Sequence, residues 1–507
     1  MVPKAWRFFS VVGAGLLALG AACGSSKGMV LSSSSSDAGD DSGGTCYGCS
    51  SSGPSDGAIV FGPSSSSGGF MAGGTLINNH TAVCTGTKTT ISGRVYDPAM
   101  QNPVYNITVY NPAYSKTDLT PGVACSCSSL YPQVFATTLT DANGYFKLDA
   151  TPDGTNVPLV IQSGKWRMWY TLPKVTPCVD NPVPDKTLHL PRNHNEGDIP
   201  QIAISTGAAD SLECLLKRMG LDDSEYVAGP GTATGGHLHI FTGAGGVGGA
   251  ALQGGSAYDP GQALWNSDAN TTPYDVVLFS CEGGETAHIT SAGQQVILNY
   301  ANGGGRIFAS HFHYALFNSG PFATTPKAPV ATWTTGANID NDPINGVLQT
   351  TITAGTLAGK PFAEGVALKT WLGNVGALTN GALPIHYGRD NAVVTMSNTP
   401  SQLWISADNT SLKPGNAQYF SFDTPFTAGG DKGCSGRVVY SDLHVSGGPN
   451  NPSDPNTDYP GFSPGIVPSG CTPHALTPQE KALEFMILDL SSCLIPVGGM
   501  PFVPPLM

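Results

Sequence analysis

Charge is scarce in this 507-residue chain: Asp, Glu, Lys and Arg together make up 12% of it. Acidic residues outnumber basic ones 36 to 23, for a formal charge of −13, and no basic run follows the first few residues. Phosphate binding needs clustered Lys and Arg, so nucleic acid is excluded as a partner. Long apolar runs are missing too, since the stretch Phe8–Ala22 is too short to span a bilayer. A helical-bundle composition is equally absent. With 65 Gly and 40 Pro beside abundant Ser and Thr, the chain suits strand-and-loop architecture, and its length allows two or three domains.

What is present begins at the N-terminus. Lys4 and Arg7 form a charged n-region ahead of "FFSVVGAGLLALGAA", which runs into Cys23 as "LGAAC". The pattern resembles a bacterial lipoprotein signal, which implies a signal segment over residues 1–23 with Cys23 lipidated. Gly24 stands where an Asp would favour inner-membrane retention, so the resemblance implies an outer-membrane lipoprotein, periplasmic or surface-exposed. The lipid anchor would be its membrane contact. Residues 24–80 are a Ser/Gly/Asp-rich tether that cannot bury enough apolar surface to fold.

Cys46 and Cys49 interrupt the tether as a lone CxxC, with neither the strand nor the helix of a thioredoxin-like motif around them. Twelve cysteines in an exported chain imply disulfides of unreadable connectivity. If Cys23 carries lipid, eleven remain, so at least one thiol is free or pairs between chains. Cys125 and Cys127 lack a second pair at zinc-knuckle spacing.

Residues 81–172 read as all β: "TTISGRVYDPA", "VYNITVYNP", "FATTLTDANGYFKLD" and "VPLVIQSGKWRMWY" alternate apolar and polar residues between turn residues. "GRVYD", "PVYNITVY" and the "TDANGYF" turn resemble the opening strand, second strand and hairpin of the carboxypeptidase regulatory-like (prealbumin-type) β-sandwich. That family implies a spacer or binding module without catalytic residues. A Pro-rich linker occupies 173–198.

Over residues 199–507 strands and helices alternate, which implies a parallel sheet. The strands include "QIAIST", "HLHIFTG", "YDVVLFS", "RIFAS" and "GRVVYSDLHV"; the helices include "DSLECLLKRMG" and "TSAGQQVILNYANGGG". Thr477, Pro478 and Glu480 open a last helix as a capping box. Between Asn318 and Asp431 the periodicity weakens into a β-rich insertion. "YDVVLFSCEGGE", "NGGGRIFASHF" and "GRVVYSDLHV" resemble the ThuA-like branch of the class I glutamine amidotransferase-like superfamily, which implies a flavodoxin-like sheet. The fold class is therefore multidomain, a β-sandwich plus an α/β body.

In such a sheet ligands sit beyond the carboxyl ends of the strands. Thr206, Asp210, Cys281, Glu282, Glu285, His311, His313, Asp442 and His444 arrive there. Amidotransferases of the superfamily carry a Cys nucleophile on a strand-to-helix elbow, a late His base, and a Glu two residues after it. Here the elbow falls on Ser310-His311, and His444 is followed two residues on by Ser446. Two of the three members are missing, so glutaminase chemistry is not expected. His311 at the elbow fits the ThuA-like branch, and Cys281, Glu282, His311 and His444 are the residues left for any hydrolase.

A metal site is the other sharp reading. Side chains at i and i+2 of a strand face one way, so His237/His239, His311/His313 and Asp442/His444 each offer a same-face pair suited to a divalent ion such as zinc. The bland alternative is ordinary buried or surface histidine, with no cofactor. The sequence thus reads as a tethered surface lipoprotein whose folded part is a non-catalytic binding or structural module for a carbohydrate or protein ligand. A hydrolase or a metal-binding protein are the alternatives.

Overall fold

The computed structural model describes residues 74–507 except 78, 125–126, 208, 230–234, 244–258, 286–288, 327, 335–346, 358, 387, 412, 427–434, 446–457, 459–467, 469 and 496–498. The chain divides into two units, Met1–Ser66 and Ser67–Met507. The signal segment, Cys23, Cys46, Cys49 and the tether up to residue 73 lie outside the described residues.

The alternating segments become six strands, β1 (Thr90–Tyr96), β2 (Thr108–Pro112), β3 (Val134–Leu139), β4 (Tyr145–Asp149), β5 (Gly154–Ser163) and β6 (Trp166–Val175), and the segment read as a linker adds β7 (Asp180–Pro182) and β8 (Leu188–His189), both paired with β1. One sheet has the order β4-β1-β7 with β8 also on β1, and the other is β3-β2-β5-β6. Ile91, Val109, Phe146, Leu148 and Ile161 are buried in one core between them. The turn at Asp141–Gly144 forms, with Gly144 in the left-handed region at φ +67°. It does not close a hairpin, however. β3 pairs with β2 and β4 with β1, so the turn carries the chain from one sheet to the other. Alternation identifies both strands but is silent about which partner each takes.

The α/β body adds β9 (Ile202–Ser205), α1 (Leu212–Arg218), β10 (Tyr226–Ala228), β11 (Leu238–Phe241), α2 (Gln262–Trp265), α3 (Asp268–Thr271), β12 (Val276–Phe279), α4 (Ser291–Asn302) and β13 (Arg306–Ser310). The insertion contributes α5 (Gly320–Thr324), β14 (Thr332–Trp333), β15 (Val347–Leu348), β16 (Thr350–Ile352), β17 (Gly355–Leu357), β18 (Lys360–Phe362), α6 (Ala363–Asn374), β19 (Ile385–His386), β20 (Ala392–Val393), β21 (Ser401–Ala407) and β22 (Ala417–Thr424). β23 (Gly436–Ser441) and α7 (Pro478–Ser491) follow. The main sheet has nine strands in the order β10-β11-β9-β12-β13-β23-β22-β21-β16. From β10 to β23 neighbours are parallel. β22, β21 and β16 extend the sheet antiparallel. The architecture is an antiparallel β-sandwich region plus a larger mixed, largely parallel sheet with helices.

Apolar runs in the central strands fit burial on both faces. Val276 and Leu278 of β12 join one hydrophobic cluster, while Val277 and Phe279 join the other. The first cluster is continuous from Ile91 and Trp166 of the sandwich through Ile202 and Leu278 to Leu483 of α7. Sandwich and body therefore share one core. Phe485 of α7 stacks on Tyr105 with ring centroids 5.9 Å apart, and the Trp371 indole N–H donates to Pro103 O at 2.5 Å.

The capping box of α7 forms as its sequence implies, Thr477 Oγ1 accepting from Glu480 N–H at 3.3 Å and the Glu480 carboxylate from Thr477 N–H at 2.7 Å. Disulfides join Cys84 to Cys178, Cys127 to Cys493 and Cys214 to Cys471, the pairing chemistry of an oxidising, extracytoplasmic compartment. No helix among the described residues is long and apolar enough to cross a membrane.

Candidate functional site

Parallel register brings the strand ends together. Phe279 pairs with Ala309, and Ser310 with Ser441, so the residues after β12, β13 and β23 emerge at one edge. β13 stops at Ser310 and the chain turns at once into a 3-10 segment, His311–Leu316. The turn puts His311 at φ +37°, in the left-handed region where a side chain other than Gly costs strain. His311 is thus the elbow residue. The strand alternation proposed for His311 and His313 does not reach them, because both lie beyond the last paired residue.

Cys281 carries a free thiol, fully buried, with Sγ 3.3 Å from His311 Nδ1. On the other side of the ring, His311 Nε2 lies 2.9 Å from Asn391 Oδ1. The Asn391 amide is oriented by its own donation from Nδ2 to Thr334 O at 3.0 Å. Oδ1 must therefore accept, which makes Nε2 the protonated nitrogen of His311 and leaves the Nδ1 lone pair facing the sulfur. His444 meets His311 edge-on, with ring centroids 5.2 Å apart. Both His444 ring nitrogens are buried without a hydrogen-bond partner among the described residues. One ligand atom each from Cys281, His311 and His444 can be chosen so that all three lie within 4.8 Å of one another.

Carboxyl groups frame this centre. Asp210 accepts from Ser310 Oγ at 2.6 Å and from Val445 N–H at 2.8 Å, and burial pushes it up to about 6. Burial also pushes Asp442 up to about 7. The Tyr440 hydroxyl has one proton for two oxygens, His311 O at 2.9 Å and Asp442 Oδ1 at 2.5 Å. A protonated Asp442 supplies the second. Asn391 N–H donates to the other Asp442 oxygen at 3.0 Å. Burial raises the Cys281 thiol to about 12. His311 is pushed down to about 3 and His444 well below its ordinary range, in both cases by burial first and then by the Arg389 guanidinium.

The other sequence candidates stand apart. Glu282 is buried with Oε1 3.9 Å from His313 Nε2, and the His313 ring stacks on Phe279 at 5.2 Å. Glu285 accepts from the Tyr314 hydroxyl. His237 lies before β11, at the amino-terminal edge; its Nδ1 is 2.6 Å from Ile199 O, and its ring stacks on His194 at 5.4 Å. His239 packs against Tyr274 at 5.2 Å. A cleft of about 530 Å³ also opens at the amino-terminal edge, lined in part by Lys165, Asp275, Arg306 and Asp423, away from the Cys281 centre. Sequence reasoning missed Asn391 and Arg389. Both come from the aperiodic insertion, where an isolated Asn or Arg gives no signal.

No family model and no curated protein matches the chain. Two solved structures of mutant type II Cohesin-X-Dockerin complexes from Acetivibrio cellulolyticus contain chains similar to it at 14% and 15% identity. Each likeness covers 30% of this chain and 88% of the other, with TM-scores of 0.15 and 0.13, too low to carry an argument about fold or function.

Proposed function

We propose that this is an exported, lipid-anchored envelope protein whose folded part is a binding or structural module for a carbohydrate or protein ligand, built on a degenerate amidotransferase-like body. One observation carries the non-catalytic reading. The single candidate nucleophile, Cys281, is fully buried and paired with an imidazole that burial keeps neutral. Thiol attack needs a thiolate beside an imidazolium, and here burial disfavours both charges. The elbow carries His311, and the residue two after His444 is Ser446, so the remaining triad positions are also unfilled. The same reasoning weighs against a hydrolase of the Glu282/Cys281/His311 set.

The three disulfides support extracytoplasmic placement, and the "LGAAC" run supports anchoring at Cys23. The test is ammonia release from glutamine by the full chain, together with iodoacetamide labelling of Cys281 at neutral pH. We expect no ammonia, and labelling only after unfolding. Ammonia release abolished by Cys281→Ala, or rapid labelling of the native protein, would overturn the reading.

A further inference from the structure

We propose that Cys281, His311 and His444 form a binding site for a divalent transition-metal ion of the zinc class. The inference rests on reading the centre as non-nucleophilic, and adds what the centre holds.

The donor set comes first. One sulfur and two imidazole nitrogens select borderline-to-soft ions such as zinc or cobalt(II), and disfavour calcium and magnesium, which take oxygen ligands. Spacing agrees. With Zn–S near 2.3 Å and Zn–N near 2.0–2.1 Å, neighbouring donors of a tetrahedral ion lie about 3.3–3.6 Å apart. Cys281 Sγ and His311 Nδ1 already stand 3.3 Å apart, and the full set within 4.8 Å closes by small side-chain rotations.

His444 is the observation that a thiol–imidazole hydrogen bond alone does not explain. A neutral imidazole has one N–H and one lone pair, and burying both unpaired is costly. Its edge-on contact with the His311 ring is a weak substitute for a hydrogen bond. An ion between the rings would take up one of those nitrogens and remove the larger part of the deficit.

The surroundings match a ligand shell. Asn391 fixes the His311 tautomer so that Nδ1 is free to bind, the role that a carbonyl or carboxylate plays behind a metal-bound His. The backbone N–H groups of Phe312 and Gly283 are directed at Cys281 and would stabilise its thiolate. On binding, the thiol proton leaves to solvent, and the added charge is one positive unit: two from the ion less one from the thiolate. Asp210 lies beside the centre to offset it, and Asp442, protonated in the metal-free protein, would release its proton to do the same. The left-handed backbone at His311 also gains a purpose, because it turns that ring from the strand end toward Cys281.

The test uses the full chain purified without chelator in a thiol-free reductant, with metal content measured directly and cobalt(II) added to the metal-free protein. We expect one ion per chain and a near-ultraviolet sulfur-to-cobalt band. The band should disappear in Cys281→Ser, and cobalt affinity should fall by more than about 100-fold in His444→Gln, because losing a direct ligand costs more than losing a partner behind one. Cys281→Ser is nearly isosteric and His444→Gln keeps a polar side chain, so two variants guard against loss of folding; the thermal midpoint of each metal-free variant checks it. A wild-type protein that neither retains zinc nor gives the band, or a band and affinity unchanged in both variants, would overturn the site. Cobalt is read by its spectrum and hydrolysis by ammonia, so either reading fails without the other.

Discussion

Two buried polar clusters sit on either side of β23, and they differ in how their charges are answered. Around α7 and the amino-terminal end of β23, Arg437 donates from Nε to Asp423 at 2.8 Å, and its Nη1 faces both Glu364 at 3.5 Å and Asp489 at 3.7 Å. About two and a half turns nearer the start of α7, Glu480 pairs with Arg218 of α1 at 2.6 Å. Cation meets carboxylate at each position. At the carboxyl end of the sheet, Cys281 and His311 satisfy one another, but both His444 nitrogens are unanswered among the described residues. Buried charge met by opposite charge holds a fold together, whereas a buried imidazole with neither nitrogen bonded marks a place where something binds.

The largest break in this comparison is Arg437→Met. It would leave Glu364, Asp489 and Asp423 facing one another across a site where Arg437 is 1% exposed. Removing one partner of a buried ion pair costs about 3–5 kcal/mol. Thermal and urea midpoints should both fall accordingly, while cobalt binding by any folded fraction stays intact. A loss under about 1 kcal/mol would show that this cluster is no clasp.

Much of the comparison was legible in the sequence, and the remainder was not for identifiable reasons. "YDVVLFS", "RIFAS" and "GRVVYS" are continuous apolar runs, so their parallel pairing, and the arrival of Cys281, His311 and His444 at one edge, follow from burial on both faces. The capping box of α7 was equally plain. Its all-round burial was not, because Glu484 and Asp489 give the helix a polar face that would ordinarily meet solvent and here meets the sandwich and Arg437. Asn391 was invisible. It stands before a two-residue strand in the insertion and is positioned by single hydrogen bonds to Thr334 and Asp442, which leave no period to read.

Asn391→Leu sharpens the other half of the comparison with a smaller effect. Without the Oδ1 acceptor, His311 Nε2–H loses its partner, and the tautomer with a free Nδ1 loses its preference. Losing a partner that holds a metal-bound imidazole in place weakens metal binding about 10–100-fold. Ring nitrogen shifts of His311 in metal-free protein report the tautomer directly, and a spectrum unchanged by the substitution would reject the positioning role.

The smallest effect concerns a pair of carboxyls on the α7 side that face each other rather than a cation. Asp97 of the sandwich and Glu484 of α7 are both fully buried, and Asp97 Oδ2 and Glu484 Oε1 have no donor among the described residues. The two carboxyls are close enough for each to shift the other's ionisation, and Asn102 Nδ2 donates to the remaining Glu484 oxygen at 2.7 Å. Two carboxyls in contact need one shared proton. Burial accordingly raises both above the ordinary carboxylate range, and for Glu484 the charge of Asp97 adds to it. The folded pair therefore keeps a proton that the unfolded chain gives up above about pH 4, so its contribution is complete in acid and declines as pH rises. Glu484→Gln supplies a permanent N–H in place of that proton and keeps an oxygen for Asn102. It should be more stable than wild type by about 1 kcal/mol at pH 8, the worth of one buried hydrogen bond, with the difference shrinking toward pH 4. Paired urea midpoints across that range measure it. A variant less stable than wild type at every pH would mean that Glu484 is charged in the fold and answered by a cation, which would make this site like its neighbours on α7.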